Sequence, residues 1–208
     1  MTGEAYEDFL VRINFTDPYK VAEAICKPAP AEGEEGFGYL DVARDATIFD
    51  IGCGPGILAR LLTAQGFTSI DGADCAPNFI EDAKNSGLYK DVREMWFGKG
   101  PDQLPADLKN KYDLVMGTGI FMDGHISAAG FDEAHAMLKT GGHFITAIRQ
   151  YYYVDGHEYG YKERIQQLVD SGRWEIIKTW TFMRGIAGAE DPLFREMPSF
   201  MFICKRLD

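Results

Sequence analysis

The spacing of apolar and polar residues changes period several times along the chain. Two amphipathic stretches come first, residues 7–13 and 18–26, the second with Asp17 as a cap and Pro18 in its first turn. A polar, glycine-containing connection follows over residues 29–38. Beyond it, short apolar runs alternate with helical stretches. Thr47-Ile48-Phe49-Asp50-Ile51 predicts a strand, and residues 56–65, with Ile57, Leu58, Leu61 and Leu62 on one face and Gly66 at the end, predict a helix. Residues 68–73, 92–97, 112–117 and 143–149 predict four further strands. Pro77 opens a helix over residues 78–84, and another over 131–139 is closed by Gly141-Gly142. Strands alternating with helices require crossover connections, and these build a parallel sheet covered on both faces.

After Arg149 the pattern changes. Tyr151-Tyr152-Tyr153, Tyr159 and Tyr161 mark an aromatic loop, residues 162–169 a helix, and residues 174–182 and 199–205 two strands that can pair as an antiparallel edge. Residues 1–45 read as a helical lid or brace and residues 46–208 as the α/β core.

Composition narrows the chemistry. With 46% hydrophobic and 25% charged residues over 208 positions, the chain has enough apolar material for one substantial core. Its formal charge of −11, with 21 Lys and Arg scattered through the sequence, argues against a nucleic-acid partner. No apolar run approaches the roughly 18 residues of a membrane span, and the acidic start Met1-Thr2-Gly3-Glu4 is unlike a basic targeting segment. The expectation is a soluble, cytoplasmic protein with no membrane partner. Cys26, Cys53, Cys75 and Cys204 form no CxxC pair or zinc-like cluster with histidine, so free thiols and no metal are expected.

The informative stretch is Phe49-Asp50-Ile51-Gly52-Cys53-Gly54-Pro55-Gly56, between a predicted strand and a predicted helix. Glycines there allow a tight turn and bring a ligand against bare backbone at a helix start. A phosphate loop would need a Gly-Lys-Ser/Thr ending, which the sequence lacks; a dinucleotide fingerprint would need glycine where Ile57 stands. The pattern is Gly-x-Gly-x-Gly with an acid two positions ahead.

Asp-Ile-Gly-Cys-Gly-Pro-Gly resembles the first motif of class I methyltransferases that use S-adenosylmethionine. The resemblance continues in order through Asp74 at the end of the next strand, Gly98-Lys99 after the third, Tyr112-Asp113-Leu114-Val115-Met116-Gly117, and Leu138-Lys139-Thr140-Gly141-Gly142-His143-Phe144. Within that class, Asp71-Gly72-Ala73-Asp74-Cys75-Ala76-Pro77, Gly87-Leu88-Tyr89, Met122-Asp123-Gly124-His125, Tyr161-Lys162-Glu163 and Ser171-Gly172-Arg173-Trp174-Glu175 are similar to the Williams–Beuren-region methyltransferase-like branch. The implied fold is α/β: a Rossmann-like, doubly wound, mostly parallel sheet of seven strands, one of them antiparallel, with helices on both faces. The implied activity is transfer of a methyl group from S-adenosylmethionine to a small molecule or a protein side chain, with S-adenosylhomocysteine as product.

The resemblance also implies roles. Asp50 would hold the glycine loop or the methionine ammonium, and Gly52 and Gly54 would set backbone against the methionine half, while Gly56 would permit helix packing. Cys53 reads as a small pocket residue in preference to a reactive thiol. Asp74 would take the ribose hydroxyls, Cys75 and Phe79 would flank adenine, and Gly98, Lys99 and Gly117 complete the cofactor set. His125 and His157 are the loop histidines expected near the methyl group, and a loop histidine is ordinarily only a solvated side chain. Tyr151 and Tyr159 read equally as pocket wall and as core contacts. No catalytic base, oligomeric state or acceptor can be read. The rival functional class is a non-catalytic subunit that keeps the fold inside a larger assembly. A nicotinamide oxidoreductase rests on fold analogy alone and is weakened by Ile57.

Overall fold

The structure, a computed structural model, describes residues 3–27, 40, 42–191 and 194–208. The predicted connection over residues 29–38 lies outside them. Two N-terminal helices, α1 (Gly3–Arg12) and α2 (Asp17–Cys26), precede the sheet. The alternating part then runs β1 (Ile48–Ile51), α3 (Ile57–Thr63), β2 (Ile70–Asp74), α4 (Pro77–Ser86), β3 (Asp91–Glu94), β4 (Tyr112–Thr118), α5 (Ala129–Met137), β5 (Leu138–Arg149), α6 (Tyr161–Asp170), β6 (Trp174–Arg184) and β7 (Met197–Arg206).

The seven strands form one sheet in the order β3-β2-β1-β4-β5-β7-β6. The pairings from β3 across to β5 are parallel, whereas β7 runs antiparallel to both β5 and β6. The expected hairpin-like edge is therefore present, with the antiparallel strand one place in from the edge. Alternation along the strands divides the apolar residues between two cores. Phe49, Val115, Phe144 and Phe202 face Phe131, Met137, Ile165 and Leu168 of α5 and α6. Ile48, Met116, Ile145 and Ile203 face Val21, Ile25, Leu58 and Leu62 of α2 and α3. Helices thus cover both faces.

Three expected boundaries move by three residues or more. The first helix starts at Gly3 instead of residue 7, because the Gly3 amide is held by the Asp82 carboxylate of α4 at 2.9 Å. The third strand ends at Glu94, and residues 95–97 leave the sheet. β5 starts at Leu138 instead of residue 143, directly after the helix that stops at Met137: Leu138 already pairs with Tyr112, and the chain bulges through Gly141-Gly142 before His143 pairs with Leu114. Those glycines serve a break in strand register and do not cap a helix.

Candidate active site

Because β1 sits between β2 on one side and β4 on the other, the crossover direction reverses beside it, and a crevice opens at the carboxyl ends of these strands. A cavity of about 280 Å³ fills that crevice. The four strands β1 to β4 deliver their last residues, or those just after them, to the wall. β1 contributes Asp50, Gly52, Cys53 and Gly54, β2 contributes Asp74 and Cys75, β3 is followed by Met95, Trp96 and Phe97, and β4 is followed by Gly119 and Ile120. Phe79 of α4 and His125 also line it, as do Tyr6 and Leu10 of α1. Among the described lining residues there is no Lys or Arg.

Asp50 is 2% exposed, and its Oδ2 accepts a hydrogen bond from the Tyr89 hydroxyl at 2.9 Å. Burial raises its carboxyl, the Tyr89 hydrogen bond opposes this, and the Asp74 charge adds to it, leaving the group at about 7. Asp74 is held from the backbone, its Oδ2 accepting from the Gly54 amide and its Oδ1 from the Ala76 amide, both at 2.9 Å. Each oxygen keeps a second acceptor site. The loop and the second acid are thus one unit.

The glycines of that loop differ in purpose. Gly52, at φ +65°, lies under Ile120, whose Cγ2 would be 2.5 Å from any Cβ placed there. Gly54, at φ +52°, has open space where a Cβ would stand, and it lines the cavity. A side chain at position 54 would occupy the volume a ligand needs. Burial pushes the Cys53 thiol far up, with the charges of Asp50 and Asp74 adding to it, and burial likewise raises Cys75. Both remain neutral thiols at pH 7.

The structure brings together Asp50, Gly52, Cys53, Gly54, Asp74, Cys75, Phe79 and His125 of the expected set, and leaves Gly98, Lys99, Gly117, Tyr151, His157 and Tyr159 off the wall. Gly98 and Lys99 belong to a turn whose amides, with that of Gly100, donate to the Glu133 carboxylate at 2.6, 3.0 and 2.9 Å. They position the preceding residues 95–97, which do reach the cavity. Gly117 is covered, since a Cβ there would meet Ile120 Cδ1 at 2.4 Å. Tyr151 is 56% exposed, and Tyr159 gives its hydroxyl to Asp123. With Tyr152 and His157 they form an aromatic cluster beside the site. His125 hydrogen-bonds the Asp123 carbonyl through Nδ1 at 2.8 Å.

Pattern reading missed several residues of the wall. Tyr6, whose ring lies 4.9 Å from that of Phe79, comes from α1, where Tyr6 and Leu10 stand one turn apart. Met95, Trp96 and Phe97 were absorbed into an over-long strand. Behind the wall, Glu133 of α5 is 2% exposed and anchors the turn that carries residues 95–97.

A seven-stranded sheet of this order, with an acid-flanked glycine loop at its switch point, defines the class I methyltransferase fold. Residues 48–142 match the family described as a methyltransferase domain. Human Methyltransferase-like protein 27 is 30% identical over 141 residues, which cover 66% of this chain and 54% of that protein. By these matches the chain is similar to the class I S-adenosylmethionine methyltransferases and resembles the branch of that human protein. It spans about half the length of this relative and 32% of a ribosomal protein L11 methyltransferase from Clostridium botulinum, to which it is 32% identical over 106 residues. A solved S-adenosylmethionine-dependent methyltransferase from Thermotoga maritima has the same fold at 17% identity, with a TM-score of 0.58 over 99% of this chain and 95% of that one. Magnesium protoporphyrin IX methyltransferase from Synechocystis, solved with S-adenosylhomocysteine bound, gives a TM-score of 0.54 at 15% identity over 78% of this chain and 74% of that one.

Among the described residues, no group of three or more His, Cys, Asp or Glu side chains could hold a metal ion. No described helix is long and apolar enough to cross a membrane.

Proposed function

We propose that this chain transfers a methyl group from S-adenosylmethionine to a small molecule or a protein side chain, releasing S-adenosylhomocysteine. The observation that carries this reading is the meeting of Asp50, Asp74 and the bare backbone of Gly54 on one cavity at the switch point. The wall fits the cofactor: two carboxylates for its ammonium and ribose hydroxyls, aromatic and thioether side chains for its base, and a cleft for its chain where Gly54 lacks a Cβ. Its volume lies near the roughly 300 Å³ at which small-ligand sites begin.

When bound, S-adenosylmethionine supplies an electrophilic methyl group on a sulfonium. The chain's own residues orient and enclose. Asp50 faces the ammonium, Asp74 the ribose, and Cys75, Phe79, Met95 and Trp96 the base. α1 brings Tyr6 and Leu10 over the cavity, so residues 1–45 act as the lid of a core spanning 46–208. Of the residues expected toward the acceptor, His125 is on the wall. We place the protein in the cytoplasm, acting on neither nucleic acid nor membrane.

The test is isothermal titration with S-adenosylmethionine and, separately, S-adenosylhomocysteine, followed by an acceptor screen with labelled methyl donor. Micromolar binding of both is expected, and an Asp74→Ala variant should lose about tenfold or more. Unchanged affinity in that variant would remove the ribose assignment. Failure of both ligands to bind the unaltered chain would overturn the enzyme reading and favour the non-catalytic subunit.

A further inference from the structure

Tyr89 lies two residues past the left-handed Gly87 that ends α4, and its half-buried ring reaches back across β2 to the underside of the glycine loop. Two glycines clear its path. A Cβ on Gly72 would sit 2.8 Å from Tyr89 Cε1 and 3.0 Å from Cδ1, and a Cβ on Gly56 would sit 3.3 Å from Cε2 on the opposite edge of the ring. The ring is wedged between the middle of β2 and the end of the loop. Gly72 is also the residue of β2 that pairs with Asp50 in β1. The wedge therefore carries the phenol to the strand position beside Asp50, where it donates to Oδ2 at 2.9 Å.

We propose that Tyr89 is a positioning residue for the cofactor: its hydroxyl fixes the Asp50 carboxylate at the cavity wall, and Gly56 and Gly72 are the space this contact requires. The inference rests on the reading of Asp50 as the partner of the cofactor's ammonium. A carboxylate torsion is soft, so an acid this deeply buried needs a donor to define its orientation. A donor also favours the ionised form, which the ammonium requires. The titratable groups facing Asp50 are Tyr89 from the segment after α4, Asp74 from β2 and Cys53 from the loop. Asp74 repels the Asp50 charge, the buried Cys53 thiol is neutral, and Tyr89 alone of the three favours the carboxylate.

The sign of the pH dependence follows. Asp50 ionises near 7, so affinity for a ligand bearing an ammonium rises as pH increases through that value. Removing the phenol removes the hydrogen bond that favours the carboxylate, and the rise moves to higher pH.

The experiment is titration of S-adenosylhomocysteine into the unaltered chain, Tyr89→Phe, Asp50→Asn and the double variant between pH 5.5 and 8, with melting temperature as a folding control. Phenylalanine keeps the ring, so the variant should fold. Tyr89→Phe should weaken binding at pH 7 by roughly tenfold, the scale of one hydrogen bond to a charged group. It should also shift the pH midpoint upward and add nothing in the Asp50→Asn background. An unshifted pH profile, or a full further loss in the double variant, would overturn the proposal. Absence of binding by the unaltered chain would instead fail the cofactor reading, a distinguishable result.

Discussion

Single positions around the glycine loop are set by what stands opposite them, and two neighbouring glycines should respond differently to the same change. Alanine at Gly52 brings a Cβ to 2.5 Å from Ile120 at φ +65°, so it combines overpacking with left-handed strain. A loss of about 2–4 kcal/mol, read as a lowered melting temperature, is expected. Alanine at Gly54 meets nothing within 4 Å. Its cost to stability should stop at about 1–2 kcal/mol of left-handed strain, while affinity for S-adenosylhomocysteine falls at least about tenfold. Comparing thermal melts with titrations separates the two. Equal effects on both readouts at both positions would contradict this division.

At the scale of elements, the question is what holds two N-terminal helices against a sheet they are not part of. α2 buries Val21, Ala22, Ala24 and Ile25 in the core beside α3, which is ordinary amphipathic packing. α1 is tied by polar contacts at its two sides: Gly3 to Asp82 of α4, and Glu7 to Arg60 of α3 through both guanidinium nitrogens at 2.6 and 3.2 Å. The joint between the helices is anchored differently. Asp17, fully buried, pairs with Arg184 at the end of β6, and that guanidinium lies 4.8 Å over the Phe15 ring. Phe15 in turn crowds Gly119 on the cavity wall, since its Cζ would lie 2.9 Å from a Cβ there. Removing one partner of such a pair leaves an uncompensated buried charge. Arg184→Met should therefore cost about 3–5 kcal/mol, a fall in melting temperature on the order of 10 °C, with partial recovery in Asp17→Leu/Arg184→Met. No recovery in the double variant would place the loss in packing.

For the whole molecule, the topology concentrates ligand contact on one end of one half of the sheet. The carboxyl ends of β1 to β4 carry the cavity, whereas β5, β7 and β6 form the antiparallel side that supports it. Saturation with S-adenosylhomocysteine should slow amide hydrogen exchange in residues 3–12, 50–58, 74–80 and 95–97. Exchange in residues 174–180 and 200–206 should be unaltered. Protection spread evenly over the sheet would argue for global stabilisation in place of an enclosed site.

What the sequence determined by itself is the part of the molecule whose cause is local. Hydrophobic periodicity marked the seven strands, and the glycine loop with its two acids marked one wall of the cavity, because tight turns and strand-end acids need particular residues in a row. Gly87-Leu88-Tyr89 was visible as a motif with no role attached. The tertiary structure decided where chain distant in sequence returns to the loop. It brought Tyr6 from α1 and Tyr89 from beyond α4, turned residues 95–97 out of a predicted strand, and withdrew Gly98 and Lys99 to hold Glu133. It moved Tyr151 and Tyr159 off the wall as well. Periodicity reports which face of an element is buried; which cavity or partner that face meets is fixed only by sheet order and register, and these depend on contacts summed over the whole chain.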